Sequence, residues 1–293
     1  MTTVPPPVEA DLHLHSVHSD GLHAPAEVVA KAHAAGLKAM ALTDHDTLLG
    51  VAAARAAAPP GLEVIGGVEL SSAWRGREIH LLAYDVDPLD PAVNEVLTAL
   101  RIERRTRAHK IVTRLNAIGI PVTLEEIGAI AGGSGAPADP SIGRPHIAAA
   151  IVRHGAARSL DEAFSSYLRH GRPAHVPRNG VPVDRALALA RSSGFSLVVA
   201  HPALNLGMEQ IEELLSCGFD GVEVWHPQQN ETARQRLLLI AERLGVVPTG
   251  GSDHHGPGRR GGEPGSSGVS LEEVGRLREQ ARLACARAAG RPS

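Results

Sequence analysis

The chain predicts an α/β fold: a barrel-like scaffold of strands and crossover helices, interrupted by an all-helical insertion. Three observations lead there. Short apolar runs alternate with helical patterns at both ends of the 293-residue sequence, the signature of parallel strands joined by crossover helices. The middle, from Pro91 to about Tyr167, reads as helices alone. Histidines and carboxylates recur where strands end, which in an α/β barrel is the face on which the loops converge.

Taken in order, the leader MTTVPPPVE is expected to be extended and disordered over 1–9, because it carries three consecutive prolines, Pro5 to Pro7. A strand starts around Leu12–Leu14. A helix follows from Pro25, a first-turn proline, to Ala35, with Gly36 as its stop. LKAMALT is a buried strand, Thr47–Ala58 an Ala-rich helix, LEVIGGVEL a strand and EIHLLAY another. After Pro88 come a long helix through Arg101, Arg104 and Arg107 to Leu115, then LEEIGAIA, a Gly/Ala/Pro loop, HIAAAIVRHG and a helix capped by Ser159. Alternation resumes with SLVVAH, GVEVWH and GVVPTGGSD, each after a helix stopped by glycine (Gly194, Gly218, Gly245). A last helix opens at Ser270 with Glu273 three residues on, a capping box. The expected organisation is a barrel over 10–87 and 180–293 with a helical insertion, a lid over the substrate, at 88–179.

Composition narrows the function. A net charge of -3 gives no electrostatic footprint for duplex DNA. Cys217 and Cys285 lie far apart and form no CxxC, which excludes a thiolate zinc site and suits a reducing compartment. With no apolar run of membrane-spanning length and no signal-like start, a cytoplasmic protein is expected. The outlying number is 16 histidines beside 3 Phe, 2 Trp and 2 Tyr. Histidine is a poor core residue, so the excess asks for chemistry.

The strand ends supply it. They carry His13 and His15, with Asp20 in the next loop, then His45, Glu69, His80, His201, and Asp253 with His255. An HxH pair on a strand puts both rings on one face. Alone, each of these residues reads equally well as an edge-strand histidine, a cap or a satisfied core group. Together on one side of a barrel they read as a metal centre. Nitrogen and oxygen donors without thiolate suit Mn, Fe or Zn, and nine ligands are too many for one ion. Three divalent metals sharing a bridging carboxylate fit the count. Two ions about 3.5–4 Å apart can hold a bridging hydroxide and take up charge on a phosphoryl oxygen, which is phosphoester hydrolysis.

The series DLHLHSVHSDG, ALTDHDTLLG, GVELSS, EIHLLAYDVD, VVAHP and GGSDHHG resembles the successive motifs of the PHP (polymerase and histidinol phosphatase) family, phosphoesterases on a distorted (β/α)7 barrel. The resemblance implies one metal on His13, His15, Glu69 and Asp253, a second on Glu69, His80 and His201, and a third on Asp20, His45 and His255. In the last motif the family usually has an aromatic between Asp and His; here it is His254, read as a neighbour of the site. His226 is read as structural. The helical insertion is similar to the branch holding 3′,5′-nucleotide bisphosphate phosphatases and 5′-to-3′ exoribonucleases, through ERRTRAHKI, GRPHIA and YLRHGRPAHVPR. That implies a nucleotide or short 5′-phosphorylated RNA as substrate, gripped by Arg104, Arg107, Arg144 and His146. Arginines three residues apart on a helix share a face and suit a phosphate; an ordinary solvated helix face is the alternative. The catalytic candidates are Glu69, His45 and His201, with the leaving-group proton open between the two histidines and a bound water. A small-molecule phosphatase of the histidinol-phosphate type would share every metal ligand, and an amidohydrolase-type deaminase would share the HxH pair. Nine histidines (His18, His23, His33, His109, His154, His170, His175, His226, His254) are left without a role.

Overall fold

Strand β1 (Ala10–Leu14) is buried at every position, and beside it run β2 (Ala39–Leu42) and β3 (Glu63–Trp74), all parallel. These are the first strands of a computed structural model that describes residues 6–132, 141–259 and 261–290. Helix α1 (Pro25–Ala34) links β1 to β2, and α2 (Val51–Ala57) links β2 to β3. Beyond β3 the direction changes. Arg75 and Gly76 both take positive φ, 48° and 73°, the backbone of a tight hairpin turn, and β4 (Arg77–Tyr84) returns antiparallel to β3. The expected run of parallel strands is therefore broken at β4, which is also antiparallel to β6 (Ser196–Val199). Strands β7 (Gly221–Trp225) and β8 (Val247–Gly250) continue parallel to β6, and a two-residue β5 (Val181–Pro182) pairs with the far end of β3. The backbone N–H of His15 donates to the carbonyl of His254 at 3.0 Å, so the last strand's loop meets the first strand and the sheet curls into a nearly closed barrel.

The outer helices begin and end as their residues direct. Helices α7 (Val183–Ser193) and α9 (Glu231–Leu244) stop at left-handed Gly194 and Gly245; α8 (Met208–Leu215) ends just before Gly218; α10 (Leu271–Ala289) opens on the Ser270/Glu273 capping box. Several element boundaries differ from expectation, most of them by one or two residues. Strand β3 runs four residues past Leu70 to Trp74, because the hairpin extends the ladder. Helix α2 starts at Val51 rather than Thr47, because Asp46 at φ 57° holds the preceding segment as a loop. The helix read from His146 begins at Arg144. Of the leader read over 1–9, residues 1–5 lie outside the described residues, and Glu9 is tied by its backbone N–H to Val269. Most of the Gly/Ala/Pro loop, 133–140, also lies outside them.

Between β4 and β5 the chain is helical: α3 (Pro91–Ala117), α4 (Leu124–Ala131), α5 (Arg144–Arg153), α6 (Leu160–Ala163) and a π-helical turn (Phe164–Leu168). Helix α3 joins two cores. Val93, Val96, Leu97 and Leu100 pack into the barrel cluster, while Ala108, Ile111, Val112 and Leu115 pack with α4 and α5 into a second one. The two positions on the same buried stripe between those groups are Arg104 and Arg107, each 4 % exposed. An apolar stripe interrupted by arginine at its midpoint marks where the helix crosses something polar.

Candidate active site

Strand direction explains how the polar groups meet. The parallel strands deliver their C-terminal ends to one face, whereas β4 runs the other way, so its early residues reach that face. His80 thus pairs in register with Ser71, two residues beyond Glu69 on the neighbouring strand. Glu69 sits at the centre. Its Oε2 lies 3.3 Å from His13 Nε2, 3.2 Å from His15 Nε2 and 3.0 Å from His45 Nδ1, and its Oε1 lies 2.6 Å from His80 Nδ1 and 3.2 Å from His201 Nε2. Asp253 Oδ1 is 3.3 Å from both His13 and His15 and 3.5 Å from His255 Nδ1, and Asp20 Oδ1 is 3.2 Å from His255 Nε2 and 3.8 Å from His45 Nε2. The structure therefore brings together all nine residues singled out from the sequence. Their donor atoms group as His15/Asp20/His45/His255, His13/His15/Asp253, His13/Glu69/His201 and His45/Glu69/His80. These groups overlap, and they pair His80 with His45 rather than with His201.

The donors fit divalent cations. His13 Nε2, His15 Nε2, His45 Nδ1, His80 Nδ1, Asp20 Oδ1 and Glu69 Oε2 are all buried and make no hydrogen bond, a costly state for polar atoms unless a cation takes their lone pairs. Burial alone would raise the Glu69 carboxyl, but His45, His80 and His13 around it hold it well below the usual carboxylate range. Burial likewise opposes ionisation of Asp253 and Asp20, and the neighbouring histidines overcome it. A buried group of ionised carboxylates facing imidazoles could hold metal ions.

Around it stands a second layer, of which the sequence reading missed Glu223. Glu223 in β7 is fully buried; its Oε1 is 2.9 Å from His13 Nδ1, and its Oε2 accepts the His201 backbone N–H at 2.8 Å. That leaves His13 Nε2 turned toward Glu69 and Asp253. The signal was available, since Glu is the one charged residue in the buried strand GVEVW. Asp44 accepts from the Ser16 N–H and hydroxyl and from the Ser19 hydroxyl, which ties down the loop carrying Asp20. His226, read as structural, reaches Asp253: Gln228 N–H donates to its Nδ1, so its Nε2 carries the proton and faces Asp253 Oδ2 at 3.3 Å. His254 turns away, with Nδ1 2.9 Å from the Gly262 carbonyl oxygen and its ring stacked on His23. Asp46, His201 and Asp253 have positive φ of 57°, 27° and 53°, strained backbone of the kind that gathers at functional sites.

The substrate candidates are also close by, but engaged. Arg104 donates from Nε and Nη2 to Asp46 Oδ2 at 3.2 and 2.7 Å, and Asp46 in turn accepts the Ser71 N–H and hydroxyl. Arg107 donates to the Val176 carbonyl at 2.9 Å, and its Nη2 lies 3.5 Å from Glu78. Arg144 approaches the same carboxylate at 3.2 Å, as does Arg178, a residue missed from sequence, at 3.3 Å; Arg178 also lies 3.4 Å from His80 Nε2. His146 accepts the Gly143 N–H at its Nδ1. Lys110, next on the arginine spacing, is exposed.

A histidine- and carboxylate-lined barrel mouth without thiolates is a donor set suited to divalent metals, the equipment of a metal-dependent hydrolase. The PHP domain model matches residues 11–119. A 5′-3′ exoribonuclease of Haemophilus influenzae is 33 % identical over 84 % of this chain and 90 % of its own length. A 3′,5′-nucleoside bisphosphate phosphatase of Chromobacterium violaceum is 34 % identical over 87 % of this chain and 90 % of its own. Among solved structures, a Bifidobacterium adolescentis protein assigned as a metal-dependent phosphoesterase superposes with a TM-score of 0.85 at 31 % identity, covering 94 % of this chain and 98 % of that one. The chain belongs to the PHP family, and is a hydrolase of phosphate esters.

Proposed function

We propose that the protein hydrolyses the phosphate ester of a nucleotide, either a 3′,5′-bisphosphonucleotide or the 5′ end of a short RNA. The observation that carries this reading is a surplus of positive charge beside the metal-ligand cluster: Arg107, Arg144 and Arg178 surround the single carboxylate of Glu78, adjoining His80. A substrate with one phosphate at the cluster has a place for a second among these guanidiniums. The names of the Haemophilus and Chromobacterium relatives support the same substrate class.

In this reading His13, His15, Asp20, His45, Glu69, His80, His201, Asp253 and His255 hold three divalent ions, Mn by preference with Fe and Zn compatible, and Glu69 is shared between sets. Such ions supply charge to phosphoryl oxygens and an activated water at neutral pH. The rest falls to the chain itself. Glu223 and His226 fix the orientation of His13 and Asp253. Both ring nitrogens of His45 face carboxylates, whereas His201 turns only Nε2 to Glu69 and keeps Nδ1 without a hydrogen bond, which favours His201, through Nδ1, over His45 as the proton source for the leaving group. The barrel, 10–87 and 180–293, supplies the ligands, and 88–179 acts as the lid, presenting Arg104, Arg107, Arg144 and His146. Arg104 serves by keeping Asp46 and Ser71 in place. The protein works in the cytoplasm on small or single-stranded substrates rather than duplexes.

The test is an assay of adenosine 3′,5′-bisphosphate, AMP, 5′-phosphorylated RNA and histidinol phosphate side by side with added Mn. Turnover of the bisphosphate or the RNA well above the others is expected. Strong turnover of histidinol phosphate with none of the nucleotides would replace this reading with a small-molecule phosphatase.

A further inference from the structure

A cavity of about 260 Å³ opens beside the metal-ligand cluster and is lined in part by Asp20 and His255, so whatever fills it touches two of the cluster's own members. Its wall is of a different chemistry. Pro145, Leu160 and Phe164 come from the helical insertion, and Arg259 from the loop after β8. The volume lies at the lower edge of small-ligand pockets, roughly 300 Å³, and so suits one compact group rather than several.

Two features mark this wall, although Phe164 also leans on the insertion's own core. Of the chain's three phenylalanines, Phe195 and Phe219 are buried, whereas Phe164 stays half-buried and lines the cavity. It also opens the π-helical turn, an energetically poor conformation found mostly at functional sites. Arg259 has its Nη1 buried with no hydrogen-bond partner, in a cavity whose other charged lining residues are Asp20, Asp161 and Arg169. An aromatic face and an unspent guanidinium N–H, in one cleft that ends on the ligand cluster, describe a site for a flat ring with polar edges.

Resting on the nucleotide reading above, we propose that this cleft is the nucleobase subsite, with Phe164 as the stacking platform and Arg259 as donor to the polar edge of the base or sugar. The base then lies between the lid and the last barrel loop while its phosphate reaches the cluster. Stacking of this kind tolerates any base, since each has a π-face. The cleft accordingly selects nucleotides over other phosphate esters without choosing among bases.

The test is equilibrium binding of AMP and of ribose 5-phosphate, which lacks the base, to the full-length protein and to the Phe164→Ala, Phe164→Tyr and Arg259→Ala variants. The wild type is expected to bind AMP at least about tenfold more tightly than ribose 5-phosphate, the usual reach of one base–aromatic stack. Phe164→Ala should erase that preference, Phe164→Tyr should keep it, and Arg259→Ala should weaken AMP more than ribose 5-phosphate. A preference that survives Phe164→Ala overturns the subsite while leaving the nucleotide reading intact. A wild type without any preference, but active on the bisphosphate, overturns the subsite alone; one that also fails to hydrolyse the nucleotides sinks both.

Discussion

His146 shows how much one side chain at this site is asked to do without carrying charge. Burial is the first cause that pushes its pKa from 6.5 down to about 4, opposed by Asp20 and assisted by the nearby arginines. Between those values the unfolded chain binds a proton that the folded chain refuses. The stability tied to a neutral His146 is therefore complete above about pH 6.5 and lost as pH falls toward 4, by up to about 3 kcal/mol. Urea unfolding of the wild type and of His146→Gln, which keeps an acceptor for Gly143 N–H, should show a stability gap that narrows or reverses on acidification; a constant gap argues against a buried neutral imidazole. Glu223 is the other telling residue. Glu223→Gln removes the charge that orients His13 and should cost about 10- to 100-fold in metal affinity, the usual effect of removing such a partner. A metal titration within twofold of wild type would contradict the orienting role. Glu223 was not legible as part of the site because it lies mid-strand rather than at a strand end.

At the scale of the element, helix α3 and the β3–β4 hairpin carry the design. The spacing of Arg104 and Arg107 on one helical face was legible, but not what they meet, because Asp46 and Glu78 come from other segments and only the fold brings them close. Arg104→Leu would complete the apolar stripe of α3 yet leave Asp46 buried and unpaired. A loss of about 3–5 kcal/mol in denaturant unfolding is expected, and a neutral or stabilising effect would show that the pair is dispensable. Strand β4's reversal was not legible, since an apolar strand reads alike in either direction, and yet the reversal is what carries His80 to the site. At the close of the barrel, a Cβ on Gly251 would sit 2.3 Å from the Cβ of His13 and 2.5 Å from its backbone N. Gly251→Ala must push β1 and β8 apart. It should lower activity at least as strongly as it lowers stability, measured as turnover against unfolding midpoint; an active, normally stable variant would mean that His13 tolerates displacement.

For the whole molecule, the fold class could be read from sequence because strands alternate with helices, and the candidate ligands could be picked out because most of them sit where strands end. What could not be read was relational, namely the overlapping grouping of the donors, the arginines' partners, and a cleft built half from the insertion and half from the last loop. The central claim is that the nine converging residues hold divalent metals on which hydrolysis depends. It is tested most directly by measuring metal content and nucleotide turnover together, in wild type and in Glu69→Gln, before and after chelation. The account predicts more than one divalent ion per wild-type chain, loss of metal and of most turnover in Glu69→Gln, and recovery of the chelated wild type on adding Mn. Undiminished turnover by metal-free wild type, or by Glu69→Gln with a full complement of metal, would contradict it.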